Sequence, residues 1–177
     1  MPREGRFGDW DRLVDVMERF GERLRANAHK ALARGGGELA GMVKERILDG
    51  KDMTPLHGFT IEQKGSSKPL MDDGDLLGSV DYAFLDELAV IVGARRKAAD
   101  GTDLAALHER EDGTRIAVTP KMRAFLHARG FHLKPSTTTI FIPGRPFLKP
   151  AARDFEASGM PKELGLDVIE KTVKGEG

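Results

Sequence analysis

Five histidines, 28 carboxylates and no cysteine bound the chemistry open to this 177-residue chain. Without cysteine there are no disulfides, no thiolate metal sites and no cysteine nucleophile. His29, His57, His108, His127 and His132 remain. No two of them stand at a metal-helix spacing with a supporting third ligand. His127 and His132 are separated by five positions across a predicted helix end, where surface or hydrogen-bonded histidines are the plainer reading. His108-Glu109 lacks the second histidine of a zinc-protease helix. Asp72, Asp73 and Asp75 surround Gly74 and have the residue types of a calcium loop. The twelve-residue spacing and terminal glutamate of such a loop are missing, so a turn with exposed acids is the simpler account. No G-x-x-x-x-G-K-[ST] phosphate loop occurs, and Gly35-Gly36-Gly37 lies between helical segments rather than after a strand. No serine sits in a nucleophile elbow. The reading is a protein that is not an enzyme, with no catalytic residue, cofactor or metal ligand.

Charge placement is more informative than charge content. The chain carries 28 basic and 28 acidic residues, so its net charge is zero. That balance argues against a general nucleic-acid binder, whose footprint should be basic. Yet Leu70–Glu87 holds six acids (Asp72, Asp73, Asp75, Asp81, Asp86, Glu87) and no base. Gly113–Arg153 holds eight bases (Arg115, Lys121, Arg123, Arg129, Lys134, Arg145, Lys149, Arg153) and no acid. The two blocks either face each other within one monomer or form complementary surfaces on neighbouring subunits, where opposite potentials fix register. A heterologous contact of that kind closes into a ring when its rotation permits. A third use of the basic block is contact with DNA through Arg115, Lys121, Arg123 and Lys134.

The most particular segment is Ile142-Pro143-Gly144-Arg145-Pro146-Phe147-Leu148. Proline fixes φ near −65° and pushes the preceding residue to extended geometry. Arg145 is thus a pre-ordered guanidinium at a strand end, followed by Phe147 as a hydrophobic anchor. A rigid strand-to-helix corner is the modest reading. An interface reading puts Asp72, Asp73, Asp75, Arg145 and Phe147 at a subunit boundary. Reversing Arg145 to Glu is then expected to stop assembly and leave the monomer folded.

The elements that must position these residues follow from periodicity. The length suits one domain, by the loose rule of about 150 residues per domain. With 40% hydrophobic and only 6% aromatic residues, and 21 glycines, the core is expected to be thin and completed by neighbouring copies. No apolar run approaches the roughly 18 residues that span a bilayer. The first residues lack an apolar signal core, so a soluble chain kept in a cytoplasm is expected. Trp10, Leu13, Val14, Met17, Leu24, Ala28, Ala31 and Leu32 follow three- and four-residue steps and predict an amphipathic helix, capped by Asp9. Three glycines would cost roughly 3 kcal/mol inside a helix, so a break is predicted at Gly35–Gly37. A second helix, Glu38–Leu48, ends at Asp49-Gly50. Residues 49–75 read as loop, with a helical turn over Thr60–Lys64. Leu76–Leu85 and Leu88–Val92 alternate and predict an antiparallel hairpin with a turn wider than two residues. Leu104–Arg110 is a short helix or a strand. Arg115–Thr119 and Thr137–Ile142 are strands, with a helix opened by Thr119-Pro120 between them. A last helix begins at Phe147, and the tail is expected to fray. The whole is an α+β fold in one domain: helical over 9–48, loop over 49–75, a small antiparallel sheet within 76–148, and a helical tail over 149–177.

Several of these segments, taken in order, resemble one family. They are Thr60-Ile61-Glu62-Gln63-Lys64-Gly65, Lys68-Pro69-Leu70-Met71-Asp72-Asp73-Gly74-Asp75-Leu76-Leu77-Gly78-Ser79-Val80, Val90-Ile91-Val92-Gly93, Ala105-Ala106-Leu107-His108-Glu109 and Ile142–Leu148. The sequence is similar to the virion morphogenesis, or tail-completion, family of tailed bacteriophages, as found in Mu-like phages and prophages. The likeness runs from about Thr54 to Phe155. It departs at Leu104, where the family has an aromatic residue, and at Arg110-Glu111, where it often has an aromatic-glycine pair.

The resemblance implies a structural virion protein that assembles as a ring of six or twelve copies at the head–tail junction. Its implied partners are itself, the connector or portal-side ring, the tail tube and the genomic DNA passing through the channel, with no membrane. Its implied location is the virion, reached from the host cytoplasm. Two other classes stay open: a nucleic-acid-binding domain using the 113–153 basic block, and a small hydrolase with a site that carries no motif.

Overall fold

The computed structural model describes residues 10–98 and 101–176; the expected Asp9 cap lies outside the described residues. The fold is α+β. One helix, α1 (Trp10–Asp49), runs for 40 residues. The short helices α2 (Gly58–Lys64) and α3 (Asp75–Gly78) follow, then a hairpin of β1 (Val80–Asp86) and β2 (Ala89–Ala94). Helix α4 (Leu104–His108) leads to β3 (Thr114–Ala117), α5 (Pro120–Ala128) and β4 (Thr139–Ile142). Helices α6 (Leu148–Ala157) and α7 (Met160–Lys174) complete the chain. The strands make two separate two-stranded antiparallel sheets, β1–β2 and β3–β4, rather than one.

The predicted break at Gly35–Gly37 does not occur: α1 is continuous through all three glycines. Close packing accounts for it. A Cβ on Gly36 would stand 2.9 Å from Val90 and 3.0 Å from Tyr82, and one on Gly35 would stand 3.1 Å from Leu164. The hairpin and α7 lie against the helix where side chains are missing. The contact these neighbours gain by close approach offsets the helix propensity that glycine lacks.

The hairpin alternates as expected. Val80, Tyr82 and Phe84 turn inward; Asp81 and Leu85 are exposed. Tyr82 pairs with Val92 and Phe84 with Val90, and the Phe84 ring stacks on His29 at 4.1 Å between centroids. Two details differ from expectation. Residues 76–79 are not strand. Gly74 adopts φ +85°, the Asp73 carboxylate accepts the Asp75 N–H, and Leu76 goes into the core from the single turn of α3. The connection is also narrower than predicted. Asp86 pairs with Ala89 across Glu87-Leu88. The Asp86 carboxylate accepts the Leu88 N–H, and a register shift precedes the turn.

Local signals account for the remaining elements. The Thr119 hydroxyl accepts the Met122 N–H and Pro120 opens α5; Asp103 caps α4 in the same way, which settles residues 104–108 as helix. The tail does not fray early: α7 is helical to Lys174 and ends at Gly175 with φ +79°. Buried Asn27 on α1 donates to the Thr172 hydroxyl and to the Glu176 carbonyl, fastening α7 to α1.

The core gathers at the C-terminal end of α1. Ala40, Val43 and Ile47 meet Leu76, Val80, Ala105, Phe147 and Ala151. Helices α6 and α7 and the β1–β2 hairpin pack on the same helix. We expect Gly36→Leu to lower stability by about 2 kcal/mol through overpacking. Gly41→Ala, on the open side of α1 with nothing within 4 Å, should raise it by about 1 kcal/mol. Urea unfolding of the two variants reads the opposite signs.

Candidate assembly surfaces and the arginine corner

The segment 143–149 is a junction of three stretches of chain. The Arg145 N–H donates to the His108 carbonyl at 2.9 Å. Gly144 passes so close to Arg110 that a Cβ there would lie 1.9 Å from its carbonyl oxygen. The Glu109 carboxylate then accepts the N–H groups of Phe147, Leu148 and Lys149. A carboxylate at the unpaired amides of a helix start is favourable in both hydrogen bonding and dipole, so Glu109 caps α6 from a distance of 38 residues.

The Arg145 side chain reaches the other way. Its Nε donates to the Thr54 carbonyl at 2.8 Å, and a terminal nitrogen donates to the Pro55 carbonyl at 3.1 Å. It is 6% exposed and, among the described residues, forms no ion pair. Burial lowers its pKa from the ordinary value. Phe147 is completely buried in the core. Neither side chain offers surface to a neighbouring copy, so their expected place at a subunit boundary is corrected. They hold the loop before α2 and the start of α6 inside the monomer. The rigid-corner reading describes them.

Arg123 is corrected in the same way. It donates to the carbonyls of Leu133, Lys134 and Thr137, tying α5 to the segment before β4, and is not a free DNA contact. Arg115, Lys121 and Lys134 are exposed and, among the described residues, make no ion pair.

The acids are all on the surface. Asp75 pairs with Arg96 at 2.7 Å. The Asp75 N–H holds the Asp73 carboxyl below the ordinary carboxylate range, and Asp72 is exposed. Among the described residues no ion pair joins the 70–87 acids to the 113–153 bases. The two blocks do not neutralise each other within the monomer by direct contact.

An uncovered apolar feature of α1 reads in the sequence only as a core stripe. Before Asn27 every described residue of α1 is exposed except half-buried Gly21. The stripe of Trp10, Leu13, Met17, Phe20 and Leu24, flanked by Val14 and Val16, is 38–65% exposed. Residues 10–26 therefore form an arm about 25 Å long at 1.5 Å per residue, apolar along one side. On the body, an apolar groove of about 550 Å³ lies between the hairpin and α7, floored by Ala28, Ala31 and Gly35.

The His57 Nδ1 accepts the Phe59 N–H at the start of α2, and His127 and His132 meet edge to face. Among the described residues no group of three or more His, Asp or Glu side chains is arranged to hold a metal ion, and no helix is long and apolar enough to cross a membrane. Burial first, and the Arg145 charge second, lower the His108 pKa from 6.5 to about 4. The His108 Nδ1 is buried without a partner.

Arg145→Glu is now expected to destabilise the monomer itself by about 3–5 kcal/mol, because it leaves a buried charge among carbonyls; thermal melting and circular dichroism of the purified variant read this. His108 gives a pH signature. Its folded pKa lies below its unfolded value, so stability is full above about pH 6.5 and falls as pH drops towards 4. Between pH 7 and pH 5 the loss should be about 1 kcal/mol, reduced for the ring's partial contact with solvent. His108→Gln should flatten that slope in urea titrations.

No family model matches the chain, and no similar curated protein or solved structure was found.

Proposed function

We propose that this chain is a structural component of a tailed-bacteriophage virion, which assembles as a ring at the head–tail junction and joins head to tail around the DNA channel. The observation that carries this reading is the apolar face of α1 from Trp10 to Leu24, which nothing among the described residues covers. Monomers rarely leave contiguous apolar patches of more than about 300–600 Å² in water, and larger ones mark interaction sites. The acidic and basic blocks, unneutralised by ion pairs between them, add a means of setting register between copies. The order of motifs between Thr54 and Phe155 gives the phage context.

The alternative, nucleic-acid binding, is favoured by one observation: exposed Arg115, Lys121 and Lys134 have no ion-pair partner among the described residues. A salt titration of DNA binding separates the two. A binder's affinity falls steeply with salt, whereas an assembly protein binds free DNA weakly or not at all.

The direct test is particle mass. Mass photometry of the purified chain should show six or twelve times the 19.4 kDa chain mass, alone or on addition of tail tubes. Met17→Asp places a charge on the exposed stripe, away from the core. It should cut assembly at least tenfold while leaving the circular dichroism of the monomer unchanged. A wild-type chain that remains a single copy under both conditions contradicts the ring.

A further inference from the structure

We infer that the cavity walled by α2, α4, α5 and β4 binds a small carboxylic acid with an apolar body, its carboxylate taken by Arg145. The cavity measures about 680 Å³, inside the range of roughly 300–1,000 Å³ that small-molecule sites occupy. No residue of α1 lines it, so the inference stands apart from the arm and from the ring.

The walls are apolar. Phe59 of α2, Leu126 of α5, and Ile140 and Ile142 of β4 line the space, with Phe131 from the segment after α5. The Phe131 ring meets Phe59 at 4.5 Å between centroids and His57 edge to face at 6.0 Å. These ring contacts fix one wall, and the space beside them stays open.

This lining includes one guanidinium, that of Arg145, and no carboxylate. Arg145 is 6% exposed. A guanidinium carries five N–H groups. Here Nε and one terminal nitrogen donate to the Thr54 and Pro55 carbonyls, and the other terminal nitrogen reaches the Pro143 carbonyl at 3.5 Å. Each terminal nitrogen therefore keeps one N–H beyond those bonds. Pro55 and Pro143 line the cavity themselves, which puts the guanidinium at its wall. Glu109 follows His108 in the chain, but its carboxylate is committed to the amides that open α6. Arg145 thus has no counter-ion among the described residues. His108 lines the same space, and its Nδ1 is buried without a partner among the described residues. Buried polar groups are in most cases fully paired.

The chemistry of the occupant follows. A buried charge without a counter-ion is costly, and an anion relieves that cost. A carboxylate takes two N–H groups from one guanidinium. One guanidinium offsets one negative charge, so a doubly charged phosphate would carry an unbalanced charge into an apolar space. The rest of the lining suits a hydrocarbon or aromatic body.

The test is calorimetric titration of the full chain with naphthoate and with octanoate, each beside its uncharged amide. At least one acid should bind with a Kd on the order of 100 µM or tighter, and at least tenfold tighter than its own amide. The stronger of the two acids tells an aromatic body from an aliphatic one. The histidine ring protons locate the ligand by NMR. Bound acid should shift the signals of His57 and His108, which line the cavity, and leave that of His29 on α1 in place. Thr60 is an exposed member of the lining. Thr60→Glu sets a competing carboxylate there without touching the core and should weaken the acid at least fivefold; Thr60→Gln should not. Equal affinity for acid and amide, no binding of either acid at about 1 mM, shifts that leave His57 and His108 in place, or equal affinity of the two Thr60 variants each overturns the inference. None of these readings uses particle mass, so a failure here leaves the ring standing and a failed ring leaves the cavity site standing.

Discussion

The apolar stripe of α1 is longer than the body that covers it, and most of the molecule's character follows from this mismatch. From Ala40 to Ile47 the stripe is sealed by α3, the hairpin and the start of α6. From Ala28 to Leu39 it forms the floor of an open groove. From Trp10 to Leu24 it stands in water. The hydrophobic effect acts on area without regard to which chain supplies the cover. A helix whose apolar face outruns the body packed on it leaves area that cover by another surface would stabilise. Because the same helix is both core and arm, a partner seated on the arm bears directly on the element that organises the fold.

The glycines at 35 and 36 decide how that helix is used. They replace side-chain volume with the faces of Tyr82, Val90 and Leu164, so the hairpin and α7 are drawn against one stretch of α1 and form the groove's two walls. The second organising contact is the arginine corner. Burying a guanidinium among carbonyls, with no carboxylate beside it, is costly unless its hydrogen bonds are well made. Arg145 makes them to Thr54 and Pro55, while Glu109 holds the next three amides. The charges of Arg145 and Glu109 work on opposite sides of one turn of backbone. They fix where α6 begins and thereby place Phe147 in the core.

The sequence was most legible where a local signal and the tertiary demand agree. Thr119-Pro120 opens a helix by capping chemistry alone, and the alternation from Val80 to Phe84 gives a half-buried strand. It was least legible where one residue serves a distant neighbour. Propensity predicts a break at Gly35–Gly37; the opposing cause is contact with residues about fifty and about 130 positions away. The interface reading of Arg145 and Phe147 took pre-organisation for exposure. The prolines do order that turn, but the order serves the inside of the molecule. The sequence reading places Glu109 in a rejected metal motif and in a segment of the family resemblance, and in neither as a helix cap. Its role depends on a helix start 38 residues later, which no local signal reveals. Asn27 gave a weak signal: a lone amide on an otherwise apolar stripe, which the structure ties to Thr172 and Glu176.

Charge and shape divide the labour of recognition. Apolar burial is undirected and lets two helices slide past each other; opposed charges at fixed positions resist the slide. Here the acids gather at the turn before α3 and at the hairpin tip, close to the groove's Leu88. Arg115, Lys121 and Lys134, which form no ion pair among the described residues, lie on β3, on α5 and in the segment after it. Had the blocks been linked within the monomer, as Asp75 is linked to Arg96, a neighbour would meet pairs already formed, and register would rest on packing alone. On the proposed assembly, their separation leaves the electrostatic part of the contact available for another copy. It also makes the contact sensitive to salt, since exposed charges are screened beyond about 8–10 Å at physiological ionic strength. An assembly held by the arm and steered by the blocks should therefore lose speed of formation at high salt more than it loses final stability, which distinguishes this architecture from one whose cohesion is ionic.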